Sequence, residues 1–159
     1  MTTSRRYLAL LAIALWMGGF TFYTVIVIPT GAKVLGSERQ VGFITQQVTQ
    51  WLNFIGIGTL LLLLWNTFAE SRVRRSLFCL GLIATWVVMA VTLAGLFISH
   101  GWIDALLDSE NKKVHDLGHF YNLHRLYMVI ATAQWCAALA HVWLVLRSSE
   151  TSAPAAKAA

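Results

Sequence analysis

The chain has 159 residues, 57% of them hydrophobic and only 12% charged, against about 25% charged in an ordinary soluble domain. Its 12 Lys and Arg outnumber 7 Asp and Glu, for a net charge of +5. The basic residues flank apolar runs, which argues against nucleic acid as a partner and for helix orientation and contact with anionic headgroups. The two cysteines, Cys79 and Cys136, have neither the spacing nor the placement of a disulfide or a Cys-rich metal site, and read as small apolar residues.

Four apolar stretches follow in order: 7–28, 51–68, 77–99 and 126–146. At about 1.5 Å per residue each covers most or all of a hydrocarbon core roughly 30 Å thick. The fold expected is all-α: an integral membrane four-helix bundle over 1–148, then a disordered tail over 149–159. The first stretch follows Arg5 and Arg6 as a secretion signal would. It runs to Pro29 without a small-x-small site, far past the roughly 7–15 residues of a signal core, and so reads as a retained helix.

Pro29, Gly31 and Gly36 mark a turn after it. Ser37-Glu38-Arg39-Gln40 matches a Ser-x-x-Gln capping box, so the second helix is expected to begin before Trp51. The short connection 69–76 makes the second and third helices antiparallel neighbours, with Glu70 and Arg74 placed to pair at i,i+4. The longest polar segment runs from His100 to Arg125, with Asp108 or Ser109 as a candidate cap for an extended fourth helix. Seven basic residues (Arg5, Arg6, Arg72, Arg74, Arg75, Arg147, Lys157) fall on one side. Five (Lys33, Arg39, Lys112, Lys113, Arg125) are spread over longer loops on the other. Both termini are therefore expected in the cytoplasm, and the membrane is read as a bacterial inner (plasma) membrane.

Inside lipid, helix interfaces are marked by small and hydrogen-bonding residues. Such seams run through Ala12, Trp16, Gly19 and Tyr23; Asn53, Gly56, Thr59 and Asn66; and Gly81, Thr85, Thr92, Gly95 and Ser99. On the fourth helix His124, Tyr127, Ala131, Gln134, Ala138 and His141 fall on one arc. Packing explains the glycines, alanines and threonines, with Gly19, Gly56 and Gly95 as points of close helix approach. Gln134 and His141 ask for a partner or a task.

His100, His115, His119 and His124 gather at the outer ends of the third and fourth spans. If the segment before the fourth span is helical, His115 and His119 share a face at i,i+4, with Asp116 placed to orient His119. His100 would approach from the neighbouring helix, and such a set suits copper, zinc or the axial positions of haem b. The competing reading is a set of interfacial histidines bonding to headgroups, caps or water.

Leu15-Trp16-Met17-Gly18-Gly19-Phe20-Thr21-Phe22-Tyr23, running to Pro29, and Phe120-Tyr121-x-x-His124-Arg125-x-Tyr127 followed by Gln134-Trp135 carry a likeness. Through them the chain resembles the uncharacterised family of small four-span membrane proteins that includes transmembrane protein two-hundred-and-five. That family is distantly similar to CopD-like and HemJ-like proteins, and the resemblance implies copper or haem handling. The haem enzymes of the wider group use a histidine early in the first span. This chain has none there, so no catalytic residue carries over. The reading is a non-enzymatic membrane protein with outer histidines for a metal or haem. The alternatives are an accessory subunit packed on a membrane partner or a second copy, and a small transporter.

Overall fold

The computed structural model describes residues 2–71, 77–108 and 113–150. The first rod is longer than the turn residues suggest: α1 (Thr2–Phe22), a π turn (Tyr23–Val27) and α2 (Ile28–Leu35) run on as one helix. Pro29 has no N–H to donate, and in a regular helix its ring would strike the carbonyl one turn back. The chain widens there by one residue, with the Ile28 N–H donating to the Tyr23 carbonyl. The turn expected at Pro29 is thus confined to Gly36, whose φ of 62° ends the helix in the left-handed region.

Ser37 then caps α3 (Glu38–Ser71), its Oγ accepting from the Gln40 N–H at 3.3 Å. Helix α4 (Leu77–Asp104) continues past Ser99 and carries His100 into the packed interior. A two-residue hairpin, β1 (Leu107–Asp108) with β2 (Lys113–Val114), leads to α5 (Leu117–Glu150). The cap of α5 is Asp116, not Asp108: its Oδ1 accepts from the His119 N–H at 3.0 Å. Hydropathy marks the most apolar part of each helix, and the caps set the ends beyond it. Residues 72–76, with Arg72, Arg74 and Arg75, lie outside the described residues, as does the chain after Glu150. Helix α5 ends at Glu150, and the tail expected over 149–159 lies, but for its first two residues, outside the described residues.

Helix α4 packs most extensively on α5, α3 lies between α1 and α4, and a lighter α1–α5 contact closes the ring. Large apolar side chains such as Leu15, Trp51, Leu61, Val91, Val129 and Trp143 point outward, while Ala9, Ala131, Ala138, Thr59, Asn53, Asn66, Gln134 and His141 are buried. In water this inversion would be costly. In lipid it is the stable arrangement, because small residues let backbones approach and polar ones bond between helices. All four rods are long and apolar enough to cross a membrane.

The interior follows a seven-residue beat. On α5 the buried positions are Tyr127, Ala131, Gln134, Ala138, His141 and Val145, steps of four and three that give the 3.5-residue period of knobs-into-holes packing. Leu82, Met89 and Leu96 repeat on α4 in the same way.

Candidate functional site

Thr85, Thr92 and Ser99 recur every seven residues on α4, and Tyr127, Gln134 and His141 every seven on α5. Antiparallel packing that pairs Thr85 with His141 must therefore bring Thr92 to Gln134 and Ser99 level with Tyr127. The first two pairs are hydrogen bonded, His141 Nδ1 to Thr85 Oγ1 at 2.8 Å and Thr92 Oγ1 to Gln134 Oε1. Successive layers stand roughly 10 Å apart along the helices. A polar column results, with Glu70 at the end that holds both termini and His100 at the end that holds the hairpin.

At the termini end Glu70 takes two guanidiniums. Arg5 donates to its Oε1 at 2.7 Å, and Arg6 spans both carboxylate oxygens at 2.9 Å each. Arg5 Nε also donates to Asn66 Oδ1 at 3.0 Å. The carboxylate turns into the bundle toward α1, and Arg74, the i,i+4 partner expected for it, lies outside the described residues.

One level in, His141 Nδ1 meets the Thr85 hydroxyl at 2.8 Å, whose oxygen also lies 2.9 Å from the Gly81 carbonyl and 3.1 Å from the Leu82 carbonyl. With the single Thr85 proton given to a carbonyl, Nδ1 donates and Nε2 is a bare acceptor; with it given to Nδ1, the ring proton sits on Nε2. That nitrogen has no hydrogen-bond partner, and the residue is 0% exposed. At the middle level the Thr92 proton faces the Val88 carbonyl at 2.7 Å as well as Gln134. Both contacts are satisfied together when the Gln134 amide presents its nitrogen to Thr92. In either orientation one polar atom of that amide is left without a protein partner.

Gln134 and Asn53 line a cavity where all four rods meet, together with Trp16, Met17, Phe20, Leu96 and Ala131; the centre of a water has about 10 Å³ to occupy there. Asn53 Nδ2 is buried without a partner. Asn53 and Thr49 lie toward the buried Tyr127 hydroxyl, which makes no direct hydrogen bond.

The hairpin end disperses the expected histidine set. His100 is buried and both its ring nitrogens are engaged, Nε2 with the Gln46 carbonyl at 3.0 Å and Nδ1 with Asp104 Oδ2 at 3.0 Å. Since a carbonyl only accepts, Nε2 donates, and Nδ1 faces the Asp104 carboxylate. His115 precedes α5, so it shares no helical face with His119, and Asp116 bonds the His119 backbone, not its ring. His115, His119 and His124 are exposed, with His124 stacked on Phe120 at 6.1 Å. Among the described residues no three His, Cys, Asp or Glu side chains form a metal-holding group.

The structure therefore brings together Asn53, Thr85, Thr92, Tyr127, Gln134 and His141, and adds Glu70, Arg5, Arg6, His100 and Asp104 to the ends of their column. The Arg5 and Arg6 contacts to Glu70 join positions more than sixty residues apart in the chain. The only hint in the sequence is that these charges sit at the same end of two spans. Comparison with protein-family models, curated proteins and solved structures finds no match to this chain.

Proposed function

We propose that the chain is an integral membrane protein, with both termini on the cytoplasmic face of a bacterial inner membrane, that transfers protons along its polar column. The observation that carries this reading is His141: a fully buried imidazole whose Nδ1 is held by Thr85 and whose Nε2 has no partner. Intramembrane ionisable groups are costly to keep and mark pathways. Uptake of a second proton gives an imidazolium that Thr85 holds at Nδ1, and release of a proton from Nε2 to a water that enters between the layers restores the neutral ring.

Size supports the proton over any other cargo. A cavity with about 10 Å³ for a water centre is at the threshold for one water. The layers are roughly 10 Å apart, too far for direct transfer, and the amides of Asn53 and Gln134 position water but do not carry the proton. Transfer is therefore slow and waits on water entering between layers.

The test is proton uptake by proteoliposomes containing a pH-sensitive dye, driven by a potassium diffusion potential. Wild-type protein should exceed empty vesicles, and His141→Ala should abolish the excess while retaining the folded helix signal. Uptake equal to empty vesicles, or unchanged in His141→Ala, overturns the reading. The same preparation tests copper or haem b on the outer histidines. That alternative draws on the exposure of His115, His119 and His124, and requires His100 to surrender two hydrogen bonds. A Soret band or stoichiometric copper, lost in His119→Ala and His124→Ala, would move the function to the hairpin end.

A further inference from the structure

We infer that the cavity between Asn53 and Gln134 is a binding site for one water molecule, which joins the Tyr127 level of the column to the Gln134 level. The inference rests on the proton-transfer reading for its role, but not for its existence. Its basis is the mismatch between what lines the cavity and what those groups need. Asn53 is 2% exposed and Gln134 3%, both line the cavity, and each has a polar atom without a protein partner. Buried amides left unpaired are rare, since each forfeits its bonds to water and regains nothing. A cavity lined only by carbon stays dry, whereas one with two or more polar partners and room for one water holds it.

The donors and acceptors match a water as well. With the Thr92 proton given to the Val88 carbonyl, the Gln134 amide turns its nitrogen to Thr92 and its oxygen inward. Asn53 Nδ2 then donates to the water, and the water donates to Gln134 Oε1. The remaining lining comes from Trp16, Met17, Phe20, Leu96 and Ala131, whose side chains are mostly carbon, so the two amides are the cavity's main hydrogen-bonding side chains.

The sign of a stability change separates a wet cavity from a dry one. Ala131 lines the cavity and is itself buried. Ala131→Val fills the space: in a dry cavity it adds contacts and raises the Tm in detergent, whereas in a wet one it expels the water, strands both amides and lowers the Tm. A decrease of roughly 2–8 °C is expected. In an Asn53→Leu/Gln134→Leu background, where no amide is left to strand, the effect of Ala131→Val should vanish or reverse. Because added bulk alone also lowers a Tm, the second measurement is infrared spectroscopy of the reconstituted protein after exchange into oxygen-18 water. A buried-water O–H band that shifts with the isotope should be present in wild type and absent in Ala131→Val and Gln134→Leu. A raised Tm, or no isotope-sensitive band that these variants remove, overturns the site. Presence of the band with no proton uptake by the wild type retains the water and rejects the transfer reading alone.

Discussion

Glu70 balances two guanidiniums with one carboxylate, and its replacement isolates two cations at 14% and 19% side-chain exposure. Glu70→Gln should destabilise by more than the roughly 1 kcal/mol of an exposed pair and less than the roughly 3–5 kcal/mol of a fully buried one. Arg5→Ala should cost less, since Arg6 still holds both carboxylate oxygens; thermal melts in detergent rank the two. Gly56 shows the same dependence on what lies opposite. A Cβ there would stand 2.5 Å from Cζ2 and 2.7 Å from Cε2 of Trp16, a buried ring packed among Ile13 and Leu60. Gly56→Ala should therefore cost about 1–3 kcal/mol, and an unchanged melt would show that the ring can retreat. Gly19 and Gly95, read from the same kind of seam, would meet only Leu52 at 3.6 Å and Ile130 at 3.5 Å, ordinary contacts that leave room for alanine. The seam was legible in the sequence. Which of its glycines touches a ring was not, because that depends on the axial offset between two helices.

Local signals set the helix ends well where they are backbone chemistry. Gly36 at φ 62° is the one glycine with positive φ among the described residues. Gly36→Ala should cost about 1–2 kcal/mol, and Gly36→Asn less, since asparagine tolerates the left-handed region. Gly42, inside α3 with nothing within 4 Å of an added Cβ, provides the opposite sign: Gly42→Ala should stabilise by about 0.5–1 kcal/mol. Equal melts for the Gly36 and Gly42 alanine variants would contradict the assignment. Pro29 is the instructive failure of a local rule. A proline breaks a helix when its missing N–H and its ring go unaccommodated, and here a π turn and a lipid-length apolar run accommodate both. The same holds for the histidines. The i,i+4 spacing of His115 and His119 means a shared face only inside a helix, and the cap at Asp116 places His115 outside.

Across the whole molecule the charge bias predicts orientation. With Cys79 and Cys136 replaced by alanine, Ser37→Cys and Lys113→Cys at the hairpin end should react with an impermeant maleimide on intact cells. Ser4→Cys at the termini end should react only after permeabilisation, and the reverse pattern would invert the topology. What the amino-acid sequence determined by itself is the number of rods, their all-helical nature, and the stripe on which Tyr127, Gln134 and His141 lie. Length, hydropathy and a seven-residue repeat are properties of one segment at a time, and a lipid environment leaves a long apolar segment no alternative to the helix. The partners were decided only in three dimensions. Glu70 meets Arg5 and Arg6 of α1, His100 spends both nitrogens on Gln46 and Asp104, and Asn53 and Gln134 face one cavity with polar atoms to spare. Each of these depends on how far one helix slides along another, an energy summed over the whole interface and carried by no single segment.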